Sequence, residues 1–265
     1  MIEVAGRECF ETLPRYFLPA GVLDAAGLFH ALERAAAGGR GALPVCLLGT
    51  DLALVRLLDE AAEAEFRVAL PAGSRLVHTG GSKGRGREIA RAELHARVGE
   101  TLGLKPAWCV NEYGMTEMAS QFYETGLRRA AGAAAGAGTG GRGGARSTAG
   151  AGSPDVRKHG PAWVRTLVVD ARTLEPVPPG RPGFLRHFDL ANRGSVMVIQ
   201  TEDRAVARPD PVKSAQPSRG GGPAEGSVPA SGSGPADWGR MPFELLGRAL
   251  GSEPRGCSLE AESVP

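Results

Sequence analysis

Lysine is nearly missing from this chain. It occurs only at positions 83, 105, 158 and 213, and the remaining basic side chains are arginine. The formal net charge is +2. That leaves no excess of positive charge to neutralise a phosphate backbone, which excludes a dedicated nucleic-acid binder. Aromatic residues make up 5% of the chain, too few for the stacking platforms that hold single-stranded bases. No apolar run approaches the ~18 residues a membrane span needs. The opening MIEVAGRECF has no basic-then-apolar leader pattern. Cysteine is found at Cys9, Cys46, Cys109 and Cys257, with no CxxC pair and no cysteine–histidine cluster, so nothing indicates a zinc site. These absences describe a reduced, cytoplasmic protein with free thiols. No Gly-Lys dipeptide occurs, which excludes a Walker A phosphate loop.

Among what is present, the stretch Asn111–Phe122 (NEYGMTEMASQF) is the most informative. The apolar run AWCV before it reads as a strand, and a helix-compatible run follows. Tyr113, Gly114, Thr116 and Glu117 lie between the two. A strand that opens into a helix is a common phosphate platform, because the helix start offers free backbone N–H groups and partial positive charge. Gly114 lets the backbone approach a ligand closely. Thr116 can donate to a phosphate oxygen. Glu117 is a hard carboxylate suited to Mg²⁺, which is held by one or two carboxylates together with phosphate oxygens and water. Tyr113 offers a flat face to a base. Read without a ligand, Thr116 and Glu117 equally suit the first turn of an ordinary helix, where capping and the helix dipole favour them.

The length of 265 residues allows one large or two small domains with a real core. Ala20–Ala37 has helical composition and stops at Gly38-Gly39. Pro44–Gly49 is a short strand, with Cys46 a small buried hydrophobe in it. Thr50 and Asp51 then open an amphipathic helix with Leu52, Leu54, Val55, Leu57 and Leu58 on its apolar side. Arg75–Val77 is a strand that runs into His78-Thr79-Gly80-Gly81-Ser82-Lys83-Gly84. This glycine-rich turn is either a flexible connection or a phosphate-binding loop. Arg87–Leu102 forms a further amphipathic helix, with His95 on a solvated or half-buried face. Strand–helix alternation of this kind predicts a parallel sheet covered by helices. A ligand is then expected at the carboxyl ends of the strands, where both glycine-bearing loops fall.

The fold class is therefore α/β: a parallel or mixed sheet flanked by helices, then a smaller β-rich subdomain, interrupted by two disordered Gly/Pro-rich insertions. The boundaries fall at 1–129, a low-complexity insertion at 130–160, a β-rich continuation at 161–207, a second insertion at 208–236, and a C-terminal segment at 237–265. Gly136, Gly138 and Gly141 have GxGxxG spacing, but no strand precedes them and the glycines recur too freely for a dinucleotide site. Trp163–Asp170, Phe184–Asp189 and Ser195–Gln200 read as strands, with a proline-glycine turn at Glu175–Gly183. Thr201-Glu202-Asp203 follows the last of them. The two carboxylate oxygens of Asp203 could accept both hydroxyls of a ribose; a solvated turn carboxylate fits the local sequence as well. Cys257, beside Arg255 near the C-terminus, is either an activated thiol or a bystander on a frayed end.

YGMTE resembles the YGxTE motif of adenylate-forming (ANL) enzymes. The longer string NEYGMTEMASQFYE, the turn HTGGSKGR, the segment LRHFDLANRGSVMVIQTEDRA and the tail RGCSL are similar to the acyl-protein synthetase (LuxE-type) branch of that superfamily. The resemblance spans about Leu43–Leu127 and Trp163–Leu259, and the N-terminal part of a typical member, with its SGTTG-like phosphate loop, is not found before His78. It implies an adenylate-forming fold and a cytoplasmic ATP-dependent ligase of the bioluminescence type. Such an enzyme activates a long-chain fatty acid as acyl-AMP, passes it to a cysteine as a thioester, and delivers it to an acyl-reductase subunit. On that resemblance Tyr113 neighbours the adenine and Thr116 meets the adenylate phosphate, with Gly114 between them in the nucleotide site. Glu117 helps hold Mg²⁺, Gly80 and Gly81 (with Lys83) line the nucleotide pocket, and Asp203 binds the ribose. Gly247 and Arg248 begin the hinge, with Arg248 near the nucleotide, and Cys257 accepts the acyl group. A lysine after Lys213, where many superfamily members have a catalytic one, is absent. A related acyl- or aryl-CoA ligase and a non-catalytic AMP- or partner-binding remnant are the alternatives.

Overall fold

The computed structural model describes residues 14–80, 89–127, 155–208 and 241–249. The chain divides into two compact units, with the boundary between Cys109 and Val110.

In the first unit, helix α1 (Ala25–Ala36) begins at Asp24, whose carboxylate accepts from Gly27 N. Strand β1 (Cys46–Thr50) leads directly into helix α2 (Asp51–Glu63). Thr50 caps α2, its hydroxyl accepting from Ala53 N at 3.2 Å, which satisfies one of the donors a helix start leaves open. Leu54, Leu57, Leu58 and Ala61 recur at helical spacing and form its buried stripe. Strand β2 (Arg75–Thr79) pairs in parallel with β1, from Cys46 opposite Arg75 to Thr50 opposite Thr79. Helix α3 (Arg91–Leu102) ends at Gly103, whose left-handed φ of 70° suits a residue without Cβ. Leu28, Leu32, Leu54, Leu57, Leu58, Leu76, Leu94, Val98 and Leu102 form one core. Each such side chain contributes roughly 1.5–3 kcal/mol by leaving water. Cys46 is half-buried, and burial raises its thiol pKa.

One expectation fails here. His95, assigned to a solvated or half-buried face, is buried on the inner stripe of α3. Its Nε2 lies 3.4 Å from Nε2 of buried His78, and His78 Nδ1 contacts Asp51 Oδ1. A ring nitrogen that finds a buried partner loses little by leaving water, so polarity alone did not keep His95 outside.

In the second unit, the end of β3 (Cys109–Tyr113) pairs antiparallel with β4 (Phe122–Tyr123), placing Glu112 opposite Tyr123 and Tyr113 opposite Phe122. Strands β5 (Val164–Val169), β6 (Pro182–Asp189), β7 (Val198–Ala207) and β8 (Phe243–Arg248) form an antiparallel sheet in that order. Met118, Phe122, Val164, Val168, Leu185, Ala205 and Phe243 make its core. The architecture is thus mixed α/β, with parallel strands and helices first and an antiparallel sheet after. Lys158 and His159, which composition placed at the edge of the first insertion, form bridges to Phe243 and Tyr123. Among the described residues, no helix is long and apolar enough to cross a membrane.

Two expectations about the second unit are corrected. No helix directly follows YGMTE; the chain turns at Thr116-Glu117 and returns as β4. Thr201, Glu202 and Asp203 do not follow a strand but lie inside β7, which continues to Ala207. Gly247 and Arg248 are the last two residues of β8, and Gly247, at φ 99°, stands where the β7–β8 register shifts. A bulge of that kind adds one residue to a strand and favours glycine in a left-handed conformation.

Candidate functional site

Tyr113 is the last residue of β3, and its ring packs among Phe122, His187 and Phe243, with centroids 5.7–5.8 Å away. Its hydroxyl donates to Asp203 Oδ2 at 2.8 Å. Antiparallel pairing sets Asp203 opposite Arg248. Arg248 Nε lies 3.6 Å from Asp203 Oδ1, and Arg248 Nη2 donates to Glu202 Oε2 at 2.8 Å. The phenol pKa is pushed well above 10, chiefly by burial and then by the charge and hydrogen bond of Asp203. Tyr113 therefore stays a protonated donor at any physiological pH.

On the other side of the Tyr113 oxygen, His187 Nε2 lies at 3.3 Å. His187 is fully buried, and its Nδ1 sits 2.9 Å from Thr166 Oγ1. Burial lowers its pKa to about 4 against a smaller opposing pull from Asp189. The imidazole is consequently neutral near pH 7.

The turn after Tyr113 is built by a carboxylate that sequence reading passed over. Asp189, fully buried at the end of β6, accepts from Ala119 N, Ser120 N, Ser120 Oγ and Ala191 N at 2.8–3.0 Å. These donors are claimed by Asp189, and Met118 N bonds back to Met115 O at 3.1 Å. A helix from Thr116 onward would need the 119 and 120 amides for its own ladder, so the chain bends into a hairpin instead. Asn192 Nδ2 donates to Glu117 O and Val196 O, which ties down the same turn. Alternation gave the missing signal: Leu185, His187 and Asp189 are every second residue of β6 and all are buried.

Thr116 and Glu117 are exposed at the tip of this turn. Thr116 Oγ1 is 3.3 Å from Glu117 Oε2. A single exposed carboxylate beside a hydroxyl is compatible with Mg²⁺ when the ligand's phosphate oxygens and water complete the shell. Among the described residues, no three His, Cys, Asp or Glu side chains gather as a metal cluster. At Gly114 a Cβ would run into the Glu112 carboxylate and approach Gln121 Cγ to 3.2 Å, so the glycine here makes room for neighbouring side chains.

Behind the aromatic cluster lies a hollow of about 230 Å³ lined by Phe122, Lys158, Val164, Thr166, Met241 and Phe243 among others. Lys158, almost fully buried, donates to Asn111 O at 2.8 Å, to Asn111 Oδ1 and to buried Glu124 at 3.0 Å. All three ammonium hydrogens are thus used, as a buried charge requires.

The second unit brings together Tyr113, Asp203 and Arg248, with Gly114, Thr116 and Glu117 on the adjoining turn. Gly80, at φ 94°, follows β2 in the first unit. Gly81, Lys83 and Cys257 lie outside the described residues.

No family model matches the chain, and no curated protein matches it. Solved structures similar to it include ATP-bound MatB from Rhodopseudomonas palustris, 13% identical with a TM-score of 0.41, covering 85% of this chain and 33% of that one. The luciferase-like enzyme from the mealworm Zophobas morio is 12% identical, TM-score 0.43, covering 86% and 41%. A long-chain-fatty-acid-CoA ligase (FadD1) from Archaeoglobus fulgidus is 12% identical, TM-score 0.43, covering 86% and 37%. The chain therefore spans about a third to two-fifths of the length of these structures. Identities and scores this low bear on no residue's role.

Proposed function

We propose that this chain is the nucleotide-holding part of an ATP-dependent adenylate-forming ligase of the acyl-protein synthetase type. The observation that carries the reading is the 2.8 Å hydrogen bond from Tyr113 to Asp203. Two residues 90 positions apart, each singled out in sequence for a separate contact with one nucleotide, meet in the second unit. Asp203 would accept the ribose hydroxyls, with Arg248 beside it, Tyr113 would neighbour the base, and Gly114 would let the backbone approach the nucleotide. Thr116 and Glu117, exposed on the turn that follows, would meet the phosphate and its Mg²⁺. The metal would supply charge neutralisation as pyrophosphate leaves. Gly80 and Gly81 are proposed to line the pocket with backbone groups. Cys257 is proposed to take the acyl group, its thiolate attacking the acyl-adenylate carbonyl as AMP departs. The substrate is then a long-chain fatty acid, the recipient an acyl reductase, and the compartment the cytoplasm.

The test is fatty-acid-dependent exchange of labelled pyrophosphate into ATP, run beside covalent labelling with radioactive fatty acid. Wild type should show both. Cys257→Ser should keep exchange and lose the covalent label, and equal labelling of the two proteins removes Cys257 from the scheme. Asp203→Ala should lower exchange. Release of the product only with coenzyme A would point to a CoA ligase instead. AMP binding without exchange would point to a non-catalytic remnant.

A further inference from the structure

We propose that His187 and Thr166 are positioning residues for Asp203, acting through Tyr113 along a one-way chain of hydrogen bonds. The inference rests on the reading of Asp203 as a ribose acceptor, and its first arm can be decided without that reading.

The direction follows from counting hydrogens. Tyr113 has one hydroxyl hydrogen, and it is given to Asp203 Oδ2 at 2.8 Å. Its oxygen can only accept from the other side. His187 Nε2, 3.3 Å away, must therefore carry the imidazole hydrogen. A neutral imidazole has only one, so Nδ1 is a bare acceptor. Thr166 Oγ1, 2.9 Å from Nδ1, must then donate. Every hydrogen in the series Thr166, His187, Tyr113, Asp203 points the same way. The hydroxyl of Thr201 does not interrupt it, because that hydroxyl lies 3.0 Å from Leu185 O, to which it donates, and accepts from Asp203 N at 3.1 Å.

The strand pairing builds this chain. Thr166 and His187 are direct cross-strand partners on β5 and β6, and both are buried. Aligned donors polarise one another, and a low-dielectric setting strengthens each bond. The effect is to fix the rotation of the Asp203 carboxylate. Oδ2 is committed to Tyr113, and Oδ1 stays on the Arg248 side, 3.6 Å from its Nε. A ribose hydroxyl would then meet an oxygen whose place is set before binding, so less ordering is lost on association.

Two measurements test this. The first is the ¹⁵N spectrum of the His187 ring near pH 7 in the full chain. The Nε2–H tautomer is expected, shifting toward a mixture in Thr166→Val. A predominant Nδ1–H tautomer, or no response to Thr166→Val, overturns the proposal whether or not any nucleotide binds. The second compares calorimetric binding of AMP and 2′,3′-dideoxy-AMP. Tyr113→Phe should weaken AMP binding roughly tenfold, and Thr166→Val, which touches no part of the nucleotide, should weaken AMP binding and leave the dideoxy analogue unchanged. Equal weakening of both ligands by Thr166→Val means that variant acts through folding and overturns a positioning role. If wild type binds neither ligand, the ligase reading falls and the positioning of a ribose contact falls with it; the tautomer result then reports on the hydrogen-bond chain alone.

Discussion

Tyr113 and Asp203 are joined by a 2.8 Å hydrogen bond that spans 90 positions of chain. One partner ends β3, and the other lies midway along β7, a strand in the antiparallel sheet. The bond fixes where the YGMTE turn starts relative to that sheet. Tyr113→Phe keeps the ring packing and removes only the donor. It should lower stability by about 1.5–3 kcal/mol, the scale of a bond to a charged acceptor, read as a shift in the urea midpoint at unchanged slope. A cost below about 0.3 kcal/mol would mean that water replaces the phenol at Asp203.

His187 makes stability depend on acid. Its folded pKa is about 4, held down by burial, against about 6.5 in the unfolded chain. Between those values the unfolded state binds more protons, so stability rises with pH through the window and falls as pH drops from about 6.5 to about 4. The full effect is about 3 kcal/mol, at 1.36 kcal/mol per unit of pKa difference. Urea unfolding at pH 7, 5.5 and 4.5 should show this loss. In His187→Gln the slope contributed by this residue should vanish while the pH 7 value drops. An unchanged acid slope in that variant would place the titrating group elsewhere.

Asp189 is a fully buried carboxylate with four protein donors. Asp189→Ala leaves the Ser120 amide and hydroxyl buried and unanswered, and frees the amides of exposed Ala119 and Ala191. The expected cost is roughly 3–5 kcal/mol. Amide exchange should show the change locally, with Ala119, Ser120 and Ala191 losing protection before the β5–β6 pairs do. Uniform loss across the sheet would mean that Asp189 supports the whole second unit and not the turn.

Lys158 and Glu124 form a buried ion pair at 3.0 Å. Removing one partner strands a charge, so Glu124→Gln or Lys158→Met alone should cost roughly 3–5 kcal/mol. The double variant should recover part of that, because two neutral side chains leave no uncompensated charge. Simple additivity of the two single losses would show that the residues do not act as a pair.

Much of the framework was readable from residue order. The stripe Leu54, Leu57, Leu58 and Ala61, with Thr50 capping it, is a local pattern, and the helix formed where the pattern put it. The strands read at Pro44–Gly49, Arg75–Val77 and Trp163–Asp170 from short apolar runs formed at Cys46–Thr50, Arg75–Thr79 and Val164–Val169, with His78 and Thr79 in β2 and not in the turn after it. Asn111–Phe122 was less legible. Its composition suits a helix start, yet Asp189, some 70 positions later, claims the amides of Ala119 and Ser120 and a hairpin results. No window on that stretch contains the competitor. The same holds for His95, whose burial depends on His78, and for β7, which runs past Asp203 because β8 supplies its pairing partner.

Residue order by itself determined the helices, the parallel strands and the position of the YGMTE turn, because periodicity, capping and turn chemistry act within a few residues of one another. Only the tertiary structure decided that this turn becomes a hairpin, that Asp203 sits inside a strand against Tyr113 and Arg248, and that His187 is a neutral buried link to Thr166. Those outcomes depend on which distant donor meets which acceptor once water is excluded, and a buried polar group takes whichever partner the packing brings to it.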